Sequence, residues 1–342
     1  MAPEKKGPSL NNYSGNHVSQ TGLLAALPAS WVPYVQLARL VPPAGLFLIY
    51  FPHVFGLLHA AVRLRTPPEE VARAALVLLA GSFFVSNAIH IWNDLIDAPL
   101  DAKVTRTKSR PIPRGAVTPF AAFVYTLTQT AGAALLIPLL SPSTIQAALY
   151  ALPSIIGWIY YPWAKRHTYY PQFVLGFCLA WGIVMGELAL DADPLLTKFD
   201  ASVEVKEDNY GRRAAVIFLV IGATMWTMIY DTIYAHQDIE DDKREGIKSI
   251  AVLYGTAGTK PLLWRLLVAL ILSLIACAWF SGLGLSFYTI AVGGSIGALG
   301  SLIAFVDLED EESCWWWFKN GFWLEGGAIV LSLLAEYIVQ TL

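Results

Sequence analysis

Nine long apolar stretches recur along this chain, and short polar segments separate them. Each stretch has about the twenty residues that a helix needs to cross the hydrocarbon core of a bilayer. The stretches cover residues 43–62, 70–92, 118–140, 144–163, 170–190, 214–236, 261–280, 284–306 and 320–341. Only helices and closed barrels satisfy their backbone hydrogen bonds in lipid, and these runs are far too long for barrel strands. The pattern therefore predicts an all-α, multi-pass membrane protein with nine transmembrane helices.

The composition agrees with this prediction and leaves no room for a sizeable soluble domain. Hydrophobic residues make up 56% of the chain and charged residues 14%, whereas about 25% of the residues of a soluble domain are charged. Residues 1–34 are polar and rich in Gly, Ser, Asn and Pro, so we expect a disordered tail ahead of one membrane domain, residues 35–342. The basic residues lie beside acids rather than in a patch of their own, which argues against a nucleic-acid partner. The lipid bilayer is the expected partner, and no obligate protein partner is indicated.

The positive charges predict the orientation of the helices. With the N-terminus in the cytoplasm, sixteen of the 23 lysines and arginines fall on the cytoplasmic side and seven on the other. Cytoplasmic loops carry the excess of such charges in most membrane proteins. The chain's two clusters of acids, described below, are therefore expected at the cytoplasmic side.

The N-terminal segment bears on which membrane holds the protein. A mitochondrial transit peptide is rich in Arg and poor in acids, and here the first arginine is Arg39. We therefore expect a membrane of the endoplasmic reticulum type rather than the mitochondrial inner membrane.

The first acid cluster ends the second apolar stretch. It comprises Asn93, Asp94, Asp97 and Asp101. Asn93 and Asp97 are four residues apart and share one face of a helix, whereas Pro99 is expected to end the helix and leave Asp101 to a loop. Five cations follow at once: Lys103, Arg106, Lys108, Arg110 and Arg114.

The second acid cluster ends the sixth apolar stretch in the same manner. Asp231, Asp238 and Asp242 are spaced at i, i+7 and i+11, which again predicts one face of a single helix. Lys243, Arg244 and Lys248 follow them. Two helix ends with the same order of acids and bases suggest that both acid clusters contribute to one site, called the paired site below.

Carboxylate and amide oxygens at the end of a membrane helix suit a hard cation such as Mg²⁺, which binds a few carboxylates together with substrate phosphates. Arg and Lys complement the charge of phosphate oxygens. A diphosphate substrate inside a membrane needs an apolar tail, which a prenyl diphosphate has. The simpler interpretation is that these are ordinary charges at a membrane interface, and a third is an ion or diphosphate transporter that uses the same acids.

The motifs around both clusters resemble those of the UbiA superfamily of intramembrane aromatic prenyltransferases. The first is Asn93-Asp94-x-x-Asp97-x-x-x-Asp101 with Arg106 and Arg110, and the second is Asp231 with Gln237-Asp238-x-x-x-Asp242. Further similar segments are Arg39-x-x-x-Pro43, Tyr161-Pro162-x-x-Lys165-Arg166 and Gln172-x-x-Leu175-Gly176. The resemblance covers roughly residues 35 to 341. It implies that the nine helices surround a central cavity, which is expected to open at the cytoplasmic side.

The resemblance implies a Mg²⁺-dependent transfer of a prenyl group from its diphosphate to a ring carbon of a phenolic acceptor. The metal ligands it implies are Asn93, Asp94, Asp97, Asp101, Asp231, Asp238 and Asp242. The diphosphate-binding residues it implies are Arg39, Arg106, Arg110 and Lys165. Asp97, Asp238, Tyr161 and Lys165 are the expected catalytic residues, with Tyr161 near the departing diphosphate or the allylic cation.

Several residues depart from the family pattern and bear on the acceptor. Val41 stands where ubiquinone-pathway members usually carry an acid, and Asn87–Trp92 replaces a run of small residues. These changes favour a ring other than 4-hydroxybenzoate. The chain resembles the fungal meroterpenoid branch of the family, which implies transfer of a farnesyl group to a phenolic polyketide acid, with 4-hydroxybenzoate polyprenylation for ubiquinone as the alternative. Glu187 replaces a frequent Trp and is expected to be solvated near the far interface. His90 shares the face of Asn93 and could contact substrate or pack against a backbone carbonyl.

Overall fold

In the computed structural model, residues 26–41, 43–141, 143–194 and 208–341 are described, and all their regular structure is helical. Residues 1–25 of the predicted tail lie outside this part of the chain. The helices are α1 (Val32–Leu37), α2 (Ala44–Leu64), α3 (Pro68–Asp101), α4 (Pro119–Leu140), α5 (Thr144–His167), α6 (Pro171–Ala180), α7 (Gly182–Leu188), α8 (Asp208–Ala235), α9 (Ile239–Glu245), α10 (Ile250–Ser281), α11 (Gly293–Phe305) and α12 (Glu311–Thr341). A 3₁₀ turn, His236–Asp238, joins α8 to α9, and a π-helical turn, Phe287–Val292, precedes α11.

Eight helical segments within the described ranges are long and apolar enough to span a membrane. They are Ala44–Leu64, Pro68–Asp101, Pro119–Leu140, Pro171–Leu188, Tyr210–Glu245, Ile250–Ser281, Phe287–Phe305 and Glu311–Gln340. Each matches one of the nine predicted stretches. The remaining stretch, 144–163, folds as helix α5, whose 24 residues have the length but are less apolar because Tyr, Trp and Gln interrupt them.

Helix α3 carries the first acid cluster beyond the apolar span. Its 34 residues extend about 50 Å at 1.5 Å per residue, well over the ~30 Å hydrocarbon core. The expectation that Pro99 ends this helix is wrong, since α3 continues to Asp101. A proline removes one helical hydrogen bond, and membrane helices tolerate that loss because neighbouring groups satisfy the freed carbonyl.

Helix α2 lies at the centre of the bundle, where it packs against α3, α7 and α12. Its close approach to α7 depends on two glycines. A Cβ at Gly56 would overlap the Ile183 carbonyl, and one at Gly186 would overlap the backbone of α2 at His53. Small residues at a crossing let membrane helices approach closely and gain van der Waals contact.

A buried polar cluster joins α2, α7 and α10 at the end of the bundle remote from the acid clusters. Glu187 is fully buried, and its two carboxylate oxygens contact His59 and Arg63, the latter at 3.1 Å. His59 Nε2 lies 2.6 Å from Ser281 Oγ. The expectation that Glu187 is solvated is therefore wrong: the carboxylate turns inward because two basic groups of α2 satisfy it there.

Replacing Glu187 by Leu is expected to destabilise the protein by about 3–5 kcal/mol, because Arg63 and His59 lose the carboxylate that offsets their burial. Unfolding of the protein in mixed micelles, followed by intrinsic fluorescence, measures the change. Glu240→Leu is the matched control, since the Glu240 side chain is 81% exposed and its ion pair with Lys243 is worth at most about 1 kcal/mol. Equal stability of the two variants would contradict this account of the cluster.

Candidate active site

The ends of α3, α5 and α8 converge on one cavity of about 220 Å³. Ten of the twelve predicted site residues line it: Arg39, Asn93, Asp101, Arg106, Arg110, Tyr161, Lys165, Asp231, Asp238 and Asp242. The other two, Asp94 and Asp97, are fully buried directly behind the lining and bond to residues that belong to it. The structure thus brings the two sequence clusters into one site.

Two arginines hold the carboxylates of the first cluster. Asp94 Oδ1 accepts hydrogen bonds from Arg39 at 2.6 Å and from Arg110 at 3.1 Å, and Arg110 also donates to Asp101 at 2.7 Å. Arg39 reaches Asp94 from the connection between α1 and α2, where its backbone is left-handed with φ of +52°. Such a φ is uncommon for a residue other than glycine. The network fixes the end of α3 against this connection.

Asp97 faces helix α5 instead. Lys165, in the last turn of α5, donates to Asp97 Oδ2, and Arg166 lies 3.9 Å from Oδ1. Tyr161 is one turn earlier on the same helix and lines the cavity. The Tyr161 and Lys165 motif therefore meets the first acid cluster directly.

The spacing predicts that the second cluster lies on one continuous helix, and this prediction is wrong. Helix α8 ends at Ala235, a 3₁₀ turn carries Asp238, and α9 carries Asp242. Asp231, Asp238 and Asp242 nevertheless all face the cavity. The turn changes the register between the helices without removing the shared face.

Arg106 links the two clusters. This residue follows the first motif in sequence, yet its guanidinium binds both oxygens of Asp238, 132 residues later. It also donates to Tyr234 Oη at 2.9 Å and lies over the Tyr234 ring. Burial opposes the charge of Arg106, but Asp238 and Tyr234 outweigh it and raise the pKa of the guanidinium well above its usual value. Arg106 is therefore a permanent cation between the clusters.

The donor set fits a divalent cation although the acids are paired with cations. Among the residues described, no three His, Cys, Asp or Glu side chains are grouped closely enough to hold a metal ion. However, three buried oxygens of the first cluster have no hydrogen-bond partner: Asn93 Oδ1, Asp94 Oδ2 and Asp97 Oδ1. Unsatisfied buried oxygens are costly, and oxygens are the ligands that Mg²⁺ prefers.

Apolar side chains of α2, α5 and α6 form the walls of the cavity beyond these charges. They are Leu48, Ile49, Trp158, Leu175 and Leu179. A charged end and an apolar interior in one cavity suit an amphiphilic substrate whose anionic group remains among the cations.

Tyr234 and His90 are polar residues of the cavity to which the sequence assigned no definite role. Tyr234 contacts Arg106, and its position one turn before Asp238 could have indicated this. His90, whose role the sequence left open, lines the cavity with Ile89.

The fold and the site define a membrane-embedded enzyme that handles an anionic, apolar-tailed substrate. The chain belongs to the UbiA prenyltransferase family, whose model matches residues 49–325. It is accordingly an aromatic prenyltransferase and a multi-pass integral membrane protein.

Relatives of known designation cover most of the chain. It is 34% identical over 312 residues to the mitochondrial 4-hydroxybenzoate polyprenyltransferase of Schizosaccharomyces pombe, covering 90% of this chain and 82% of that protein. It is 32% identical over 286 residues to the DMOA farnesyltransferase nvfB of Aspergillus novofumigatus, covering 83% and 84%.

Solved structures share the fold. A UbiA homologue from Aeropyrum pernix superposes with a TM-score of 0.66 at 22% identity, covering 86% of this chain and 98% of that one. A UbiA homologue from Archaeoglobus fulgidus bound to GPP and Mg²⁺ superposes with a TM-score of 0.58 at 15% identity, covering 90% and 99%.

Proposed function

We propose that this enzyme transfers a farnesyl group from its diphosphate to a ring carbon of a phenolic polyketide acid, with Mg²⁺ as cofactor, in meroterpenoid secondary metabolism. The observation that carries the proposal is the single cavity in which both acid clusters, three arginines and Lys165 meet an apolar interior. The similarity to a farnesyltransferase supports the prenyl group, and the structure solved with GPP and Mg²⁺ supports the metal.

The residues proposed to hold Mg²⁺ are Asn93, Asp97 and Asp101 on one side and Asp238 and Asp242 on the other, with Asp94 and Asp231 in support. The orphaned oxygens of Asn93, Asp94 and Asp97 favour this assignment. When bound, the metal supplies positive charge that stabilises the departing diphosphate.

Lys165 and Arg106 are proposed to exchange partners when the substrate binds. Each now pairs with a carboxylate, Asp97 and Asp238 respectively. The diphosphate offers both cations new oxygens, and the released carboxylates become available to the metal. Arg110, held between Asp94 and Asp101, lines the same cavity and is also proposed to bind the diphosphate. Arg39 is proposed to bind either a phosphate or the acceptor's carboxylate.

The reaction breaks the allylic C–O bond, and the electron pair leaves with the diphosphate. The aromatic ring then supplies the pair for the new C–C bond and loses its ring proton to the released diphosphate. Tyr161 lines the same cavity and is proposed to face the departing group or the cation. The apolar walls exclude water, which would otherwise quench the cation.

We also propose the number of membrane spans, the side on which the cavity opens and the membrane that holds the protein. Helix α5 would be the ninth span of a membrane domain covering residues 35–342, and the cavity would open to the cytoplasm, as the excess of positive charge on that side favours. A membrane of the endoplasmic reticulum type, rather than the mitochondrial inner membrane, is proposed. Fractionation of cells that express the full chain tests this.

The alternative function is 4-hydroxybenzoate polyprenylation in ubiquinone biosynthesis. Similarity to the Schizosaccharomyces pombe enzyme favours it. Against it stand Val41 and the altered run Asn87–Trp92, of which Ile89 and His90 line the cavity.

A competition assay decides between the two functions. Membranes containing the protein receive equal concentrations of 4-hydroxybenzoate and an orsellinic-type acid, with farnesyl or a longer prenyl diphosphate, and products are identified by mass. We expect the farnesylated orsellinic-type product to predominate. Predominant prenylation of 4-hydroxybenzoate by the longer donor would overturn the proposal in favour of the alternative.

A further inference from the structure

Gln172 presents a fixed hydrogen-bond donor to the cavity. It lies in the first turn of α6, is 2% exposed and lines the cavity. The backbone N–H of Ile250 donates to Gln172 Oε1 at 3.3 Å. Because a backbone N–H only donates, the amide oxygen faces Ile250 and the NH₂ group points away from it. Nε2 forms no hydrogen bond with any other described residue, so its hydrogens are left for a ligand in the cavity.

Ser249, the residue before Ile250, presents a second donor. It is the N-cap of α10, where its Oγ accepts a hydrogen bond from Val252 N at 3.1 Å, and it lines the same cavity. Accepting this bond uses one lone pair of the hydroxyl and leaves its proton available. Gln172 and Ser249 therefore form a pair of neutral donors, which the hydrogen bond from Ile250 to Gln172 holds together.

Backbone hydrogen bonds hold this donor pair beside Lys165 and the second acid cluster. Ile247 N donates to Asp242 O at 2.9 Å, and Lys248 N donates to Lys165 O at 2.8 Å. All four of these residues line the cavity. The chain from Asp242 to Ser249 is thus fixed between α9 and the last turn of α5, on the side of the cavity where the diphosphate is proposed to bind.

The chemistry of these groups calls for an anion with several oxygens. The amide NH₂, the hydroxyl proton and the ammonium group of Lys165 all donate, so their ligand must accept at several points. A phenolic hydroxyl offers one oxygen and a carboxylate two, whereas a diphosphate offers oxygens on two phosphorus atoms. Neutral donors bind these oxygens without the cost of burying a further charge.

We propose that Gln172 Nε2 and the Ser249 hydroxyl donate hydrogen bonds to the diphosphate of the prenyl donor. The two residues thereby hold the diphosphate on the side of the second acid cluster while the C–O bond breaks. Neither residue belongs to the acids or to the cations that the site already contains. The inference rests on the proposed function, because it needs a diphosphate in the cavity.

Three variants and one control test the proposal. Gln172→Met and Ser249→Gly remove the two donors without adding charge, and glycine still caps a helix almost as well as serine. Gln172→Glu keeps an acceptor for Ile250 N–H but removes the donor. Gln36→Met is the matched control, because Gln36 is also a buried amide whose oxygen accepts a hydrogen bond, from Arg114 at 2.6 Å, and it lies outside the cavity lining.

The readouts are the Kd of inorganic pyrophosphate with Mg²⁺, by titration calorimetry, and the KM values for farnesyl diphosphate and for the phenolic acid. Gln172→Met and Ser249→Gly are each expected to raise the Kd of pyrophosphate and the KM for farnesyl diphosphate by roughly ten- to a hundredfold, the effect of one hydrogen bond to a charged group. The KM for the phenolic acid should not change, and Gln36→Met should match the wild type. Gln172→Glu should bind pyrophosphate no better than Gln172→Met, also in 1 M NaCl, which screens charges that do not contact the ligand.

The outcomes separate this inference from the proposed function. Wild-type affinity for pyrophosphate in Gln172→Met or Ser249→Gly would overturn the inference alone, as would a loss that falls equally on the KM of both substrates. Recovery of wild-type affinity in Gln172→Glu would also overturn it, because the bond to Ile250 rather than the donor would then matter. A wild type that binds neither pyrophosphate nor a prenyl diphosphate would overturn the proposed function and, with it, this inference. Thermal unfolding that matches the wild type excludes a folding defect in each variant.

Discussion

Asp97→Asn and Asp238→Asn are each expected to reduce prenyl transfer by on the order of 10³-fold or more while the protein remains folded. Asn preserves the shape of each side chain but removes the negative charge that a divalent cation needs. Loss of the positive charge that stabilises the departing diphosphate then raises the barrier of the chemical step. Turnover under saturating substrates, in membranes with equal amounts of protein, measures the effect.

The matched control is Glu240→Gln, which removes a carboxylate from the same helix as Asp242 at a side chain that is 81% exposed and outside the cavity lining. It should retain wild-type turnover. Combining Asp97→Asn with Asp238→Asn should cost little more than either change alone, because residues that act as a unit give non-additive losses. Wild-type turnover by either single variant would refute the paired site.

Arg106→Gln and Lys165→Met are expected to reduce kcat/KM for the prenyl diphosphate by roughly 10²- to 10³-fold, because each removes a charge placed for the diphosphate. Both cations line the cavity and are held beside it by Asp238 and Asp97. The kcat/KM of Arg106→Lys should lie between those of the wild type and Arg106→Gln, since lysine keeps the charge but loses the planar fork that binds Asp238. Initial rates at varied donor concentration give the values.

Lys108→Met is the control for these variants, because Lys108 is exposed in the same loop and is not part of the cavity lining. Its kcat/KM should equal that of the wild type. An equal loss in Lys108→Met would mean that the loop's overall charge, rather than Arg106, determines donor binding. Unchanged kinetics in Arg106→Gln would remove Arg106 from the proposed site.

Much of the fold follows from the sequence because lipid imposes a simple rule on it. Every apolar stretch of spanning length must be helical, and the all-helical membrane fold and the family are confirmed. The predicted end of α3 at Pro99 was wrong, because the rule that proline ends a helix is weaker where neighbouring groups satisfy the freed carbonyl. The prediction that Glu187 is solvated was wrong for a different reason. Its partners, His59 and Arg63, lie more than a hundred residues away in sequence, so local sequence does not reveal them.

The candidate site could likewise be predicted only in part. Local spacing placed the acids at helix ends, and the structure brings the predicted residues together. The cross-pairing of Arg106 with Asp238 and of Lys165 with Asp97 could not be read from spacing, because it depends on how separate helices pack. The 3₁₀ turn at Asp238 could not be predicted from the sequence either, since it changes the helix register without changing the periodicity of the acids.

The most direct test of the paired site measures two products of the wild-type protein in reconstituted vesicles. Farnesyl diphosphate and an orsellinic-type acid are supplied with Mg²⁺ or with a chelator, and prenylated acid and released diphosphate are quantified together. The account predicts equal amounts of both products with Mg²⁺ and neither with the chelator. Transfer that persists undiminished in the chelator, or movement of diphosphate into the vesicles without any prenylated acid, would contradict it.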